Sequence, residues 1–171
     1  MKSLNFLSIA KLQTTPVLVF QDVLSLFNIY TYHIRPFIND AYKLGQSSAW
    51  DRSTFFIKED KQRFLANNFE LFHIIKNPDM DFNVLIQKVE VQYISKDDFE
   101  FELCFYELIE LIALHNNKLD IKLIYRQLKT ILNKQMNQQL FSKNIFTVTK
   151  FCELLRITEQ TYHARCSGVS L

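Results

Sequence analysis

Glycine occurs twice and proline three times among 171 residues. Tight glycine turns and glycine-rich phosphate loops therefore have almost no raw material. This scarcity excludes a dinucleotide fingerprint and a P-loop, because both need several glycines to let backbone amides approach phosphate. Cysteine is sparse as well: Cys104, Cys152 and Cys166 make an odd set without a Cys-x-x-Cys pair, a poor basis for a secreted disulfide framework. Long apolar runs are missing too. Lys11 interrupts "MKSLNFLSIAKLQTTPVLVF", no small-residue cleavage site follows it, and Asp22 breaks residues 17–34 as a membrane span. The expectation is a reduced, cytoplasmic protein without a membrane anchor.

What the chain does have is apolar and aromatic bulk. With 16 Phe and 7 Tyr in a 48% hydrophobic composition, it is too apolar for a disordered chain and long enough for one cored domain, with or without a small appendage. Scarce glycine and proline, with apolar residues at helical spacing, predict an all-α fold: a multi-helix bundle ending in a helix-turn-helix. Apolar helical segments are expected over residues 4–12 and 17–29, with a third starting near Pro36 and stopping at Gly45. The lone Trp50 is read as the anchor of the loop that follows. Phe64, Leu65, Phe69, Phe72 and Ile75 recur at helical spacing within 58–77. Phe82, Leu85, Ile86 and Val89 share a face of a second helix capped by Asp79, although "VEVQYI" alternates enough for a short strand. Residues 97–117 form the most apolar segment, the expected central helix, and residues 119–140 one long helix with Ile121, Ile124, Leu128, Ile131 and Leu132 inward.

Charge divides the chain. Residues 51–120 carry eight basic side chains against fourteen acidic ones, whereas residues 121–171 carry eight against two. A basic terminal third beside an acidic middle suits a protein that offers one end to a polyanion. Lys118, Lys122, Arg126 and Lys129 follow at spacings of four, four and three, a basic stripe along one helix face. The expected division is therefore a helical body over 1–117, for dimerisation or for a ligand or partner, and a basic helix plus helix-turn-helix over 118–171.

The segment "FTVTKFCELLRITEQTYHARCSG", residues 146–168, satisfies the helix-turn-helix template at most of its structural positions. That motif needs a small residue where its two helices cross, an aliphatic residue after the turn and an apolar residue five further on; Cys152, Ile157 and Tyr162 supply them. Phe151, Leu154 and Leu155 fill the buried side of the first helix, and Thr158 is placed to cap the second. "FCELLRITEQTYHAR" resembles the helix-turn-helix of insertion-sequence transposases and small bacterial regulators. It departs at Arg156, where those proteins carry the turn glycine, so Arg156 must enter a left-handed conformation. The resemblance implies base contacts by Thr158, Glu159, Gln160, Thr161 and His163. Phosphate contacts would then come from Lys118, Lys122, Arg126, Lys129, Lys150, Arg156 and Arg165. A further stretch, "ELIELIALHNNKLDIKLIYRQL" (residues 107–128), is similar to part of the RteC family of conjugative-transposon regulators, which implies regulation of a mobile element.

Other constellations are weaker. Ile29 and Ile34 in "LFNIYTYHIRPF" echo Ile157 and Tyr162, but Pro36 would break a second recognition helix. Asp79, Asp81, Asn83 and Glu90 fall at calcium-loop positions, yet Val84 stands where the sharp turn requires glycine. Cys152, His163 and Cys166 lack a fourth ligand and zinc-site spacing. The four histidines are scattered and no serine sits in a nucleophile elbow. The expected function is a sequence-specific DNA-binding transcriptional regulator, a homodimer on double-stranded DNA with no catalytic residues, cofactor or metal. The alternative is a non-enzymatic interaction module such as an antitoxin, inhibitor or accessory subunit, whose acidic face over 97–110 meets a basic protein partner.

Overall fold

A computed structural model describes residues 5–38 and 49–165. It overturns the all-α expectation, because a five-stranded mixed sheet occupies the first part of the chain. The elements are β1 (Asn5–Ser8), α1 (Ile9–Gln13), β2 (Val17–Val19), α2 (Leu24–Ile29), β3 (Thr54–Glu59), β4 (Gln62–Leu65), α3 (Phe69–Lys76), α4 (Phe82–Leu85), β5 (Lys88–Ile94), α5 (Phe101–His115), α6 (Ile121–Ile131), α7 (Lys134–Phe141), α8 (Val148–Leu155) and α9 (Glu159–Ala164). They form two compact units. The first comprises residues 1–27 and 39–104, the second 28–38 and 105–171. The division falls inside α5, ahead of the 117/118 boundary expected from charge.

In the first unit the strand order is β1-β5-β3-β4-β2. β1 runs antiparallel to β5 and β3 antiparallel to β4, while β3 is parallel to β5 and β2 parallel to β4. Alternation and register put Val89, Val91, Thr54, Phe56, Leu65 and Val17 on one face, and all six are buried. α1 packs on α3 and α3 on β2, adding Ile9, Leu12, Phe69 and Ile74 to this core.

The helix expected over 58–77 is in fact a hairpin followed by α3. Asp60 takes the positive φ (53°) that the two-residue turn between β3 and β4 requires, so a hairpin forms where glycine is lacking. The helix expected to end near Tyr93 stops at Leu85, and Val89 and Val91 enter the sheet as alternating buried residues of β5. Residues 4–12 and 17–29 divide in the same way, into β1 and α1 and into β2 and α2. The echo at Ile29 and Ile34 is one helical run: α2 passes into a π turn at Tyr30–Ile34 and a 3-10 turn at Arg35–Phe37, without a second helix-turn-helix. The helix expected to begin at Pro36 lies mostly outside the described residues. Trp50 is half-buried.

The second unit is all-helical among its described residues. α5 and α6 are the expected core helices, with Phe105, Leu108, Ile112, Ile121, Ile124 and Leu128 buried. The single long helix expected over 119–140 breaks at Leu132, because Asn133 Oδ1 accepts the Met136 amide (2.9 Å) and so starts α7. No helix among the described residues is long and apolar enough to cross a membrane.

Asn68 locks the edge of the first core. It holds φ at 60° and is 1% exposed, and its amide nitrogen donates to Ala49 O (3.0 Å) and Thr54 Oγ1 (2.9 Å). Asn68→Ala removes two hydrogen bonds from the buried edge of this core and should lower stability by about 1–3 kcal/mol. Urea unfolding checks this, and an unchanged midpoint would contradict it.

Candidate nucleic-acid interface

α8 starts where Thr147 Oγ1 accepts the Lys150 amide at 3.1 Å. It ends at Arg156, which takes φ 58° and ψ 39°, the left-handed conformation implied by the missing glycine. The Ile157 amide donates to Cys152 O and the Arg156 amide to Glu153 O, both at 3.1 Å. These two bonds close the helix end in a Schellman arrangement. Thr158 then caps α9 as its position implies, its hydroxyl accepting the Thr161 amide at 3.0 Å.

The residues that define the motif are inward. Phe151, Cys152, Leu155 and Tyr162 are buried, and Ile157 is half-buried. They close around Tyr125 of α6, whose ring lies 5.5 Å from Phe146, 5.5 Å from Phe151 and 6.1 Å from Tyr162. The Tyr125 hydroxyl donates to Phe146 O at 3.1 Å, so the phenol is satisfied inside the cluster. Sequence spacing put Ile121 and Ile124 inward but passed over Tyr125, although it lies one turn on from Ile121.

Thr158, Glu159, Gln160, Thr161 and His163 are all exposed. Their side chains are not equally free. The Thr158 and Thr161 hydroxyls lie 2.9 Å apart, and Thr149 Oγ1 donates to Glu159 Oε1 at 2.6 Å. Gln160 and His163 are the remaining polar side chains of the outer face, the His163 ring standing edge-on to Tyr162 at 5.2 Å.

The seven basic candidates also divide. Lys122 Nζ donates to His163 O at 3.1 Å and lies 5.9 Å from the Tyr162 ring centroid, neutralising the carbonyl end of α9. Arg165 donates through both terminal nitrogens to Asn116, to its backbone oxygen and, at 2.7 Å, to Oδ1. These two cations are tethers, and the Asn116 partner, 49 residues away, has no signature in the sequence. Lys150 pairs with Glu153 at 3.3 Å. Lys129 lies 5.9 Å from the Tyr125 ring centroid but is exposed. Lys118, Arg126 and Arg156 are exposed, and Lys118 precedes α6 rather than lying on it.

Cys152 is a buried core thiol and Cys166 lies outside the described residues. The acidic face expected over 97–110 is interrupted by Glu107, which is 4% exposed. The chain matches no known protein family, no curated protein and no solved structure.

Burial raises the Cys152 thiol above its ordinary value, with Glu159 adding to the shift. Burial also raises the Tyr162 phenol, aided by Tyr125 and Cys152 and opposed by Arg126. Both groups are neutral when folded, and in the unfolded chain they ionise at lower pH. Their stabilisation is complete below the ordinary thiol value of about 8.5 and is lost as pH rises through the raised values, the phenol contributing beyond about pH 10. The melting temperature should hold from pH 7 to 8 and fall above about pH 9, less steeply in a Cys152→Ala/Tyr162→Phe variant. Parallel alkaline profiles for variant and parent would refute the assignment.

Proposed function

We propose that the chain is a non-enzymatic, sequence-specific DNA-binding regulator that reads double-stranded DNA with α9. The observation that carries this reading is the division of α9 into an anchored side and a free one. Tyr162 is buried in the aromatic cluster, while Gln160 and His163 are exposed, as are Arg126, Lys129 and Arg156. A glutamine suits the adenine edge in the major groove, and the flanking cations suit phosphates.

Arg156 adds support from its conformation. A non-glycine residue at φ 58° costs about 1–2 kcal/mol relative to ordinary helical backbone, a cost glycine would avoid, and the Arg156 side chain is exposed. An arginine kept at this turn suits a phosphate contact. Because α9 has only six described residues, one module reads few bases. A two-fold dimer on half-sites about 34 Å apart would supply the remaining affinity. The similarity of residues 107–128 to RteC-type proteins directs the search for targets to the control regions of mobile elements.

The test measures duplex affinity by fluorescence anisotropy at 50 and 200 mM salt, on sequences selected from a random pool. Affinity should fall by about 1,000-fold or more for six or more phosphate contacts. Gln160→Ala should lower affinity for the selected site by about 1–3 kcal/mol and relax its sequence preference. Arg156→Gly should bind more weakly yet melt higher, by about 0.5–1 kcal/mol, because glycine relieves the turn. Absence of duplex binding at 50 mM salt would overturn the proposal.

A further inference from the structure

The sheet-bearing unit holds a cavity of about 440 Å3. Its sheet wall is the face carrying Phe55, Gln92 and Ile94, opposite in register to the buried face of Val91 and Phe56. Its other wall is the turn at 95–100 and the start of α5, with Phe99 and Leu103. Phe99 is fixed edge-on to Phe20 at 5.0 Å. The volume lies in the range of small-molecule sites, which is about 300–1,000 Å3.

Among the described residues, the side-chain polar groups on the walls are mainly acceptors. The Gln92 amide nitrogen donates one N–H to Glu90 at 2.6 Å, and its oxygen remains an acceptor. The Cys104 thiol donates to Ala66 O at 2.8 Å. Ser95 Oγ donates to Asp98 at 2.7 Å, so Asp98 is partly satisfied, whereas Asp97 and Glu100 are exposed carboxylates of the rim. The single cation of this turn, Lys96, is paired with Glu59 and is not among the lining residues. The carboxylates do not converge as metal ligands do: no group of three His, Cys, Asp or Glu suited to a metal ion occurs among the described residues.

An acceptor-rich, acidic rim over an apolar, aromatic floor repels anions and favours a charged donor over a neutral one, because the hydrogen bond of a cation to a carboxylate is the stronger. We propose that this cavity binds a small organic cation, a primary ammonium carried on a flat apolar body. The body removes Phe55, Ile94, Phe99 and Leu103 from water, and the ammonium donates to Asp97, Glu100 and the Gln92 oxygen. The proposal does not depend on the DNA reading.

Calorimetric titration of the full chain with tryptamine, its neutral isostere tryptophol and indole-3-propionate tests it. Tryptamine should bind about tenfold or more tightly than tryptophol, a difference of about 1.4 kcal/mol, and the anion least of all. Asp97→Asn/Glu100→Gln, on exposed positions, should bring tryptamine down to the tryptophol level. Leu103→Trp, at a residue 52% exposed, should fill the cavity and abolish binding of both, with circular dichroism unchanged. Tryptamine affinity no greater than that of tryptophol, no binding at millimolar tryptamine, or binding that survives Leu103→Trp in the folded variant would each overturn the proposal.

Discussion

The buried ring of Tyr125 is the constraint on which the helical unit depends. It belongs to α6, yet its neighbours Phe146, Phe151 and Tyr162 come from the α7–α8 loop, α8 and α9. Its hydroxyl donates to Phe146 O. Two short helices of eight and six residues have little stability of their own. Edge-on and tilted aromatic contacts with one shared ring supply the packing that fixes them, and the buried phenol oxygen finds a partner inside the cluster rather than in water.

That anchoring decides what the charges near α9 can do. Lys122 and Arg165 are drawn inward to cap and tether the far end of the helix, so the basic balance of the last third of the chain overstates the number of cations available to a polyanion. Arg126, Lys129 and Arg156 remain exposed. Glu159, which would repel phosphate at the entrance of the helix, is held by Thr149 across the motif. The interface proposed for DNA is therefore narrower than the sequence suggests: two side chains for bases and a few for backbone.

The helix-turn-helix was legible because each of its positions answers to a local rule. A cap threonine, a small crossing residue and a locking aromatic act within a few residues of one another, and even the left-handed Arg156 followed from the missing glycine. The sheet was illegible for the opposite reason. Its strands have three to seven residues, too short for alternation to show against a background rich in phenylalanine. Phe64 and Leu65 of β4 happen to lie at helical spacing from Phe69 and Phe72 of α3, so one apparent periodicity spanned two elements. Asp60 turned the hairpin without glycine, which removed the usual signal. The bonds of Lys122 to the His163 carbonyl and of Arg165 to Asn116 could not be read from the sequence, because these long-range partners are set by packing and not by spacing.

The exposed side of α9, held in place by the Tyr125 cluster, is the surface proposed to meet duplex DNA. The most direct measurement is the change in backbone amide resonances of the nitrogen-15-labelled chain as a short duplex is added at low salt. Shifts are expected at Arg156, Gln160 and His163, with weaker ones at Arg126 and Lys129, and none along β1, β3 and β5. Shifts confined to the sheet or to the acidic turn at 95–100, with α9 unchanged, would contradict it.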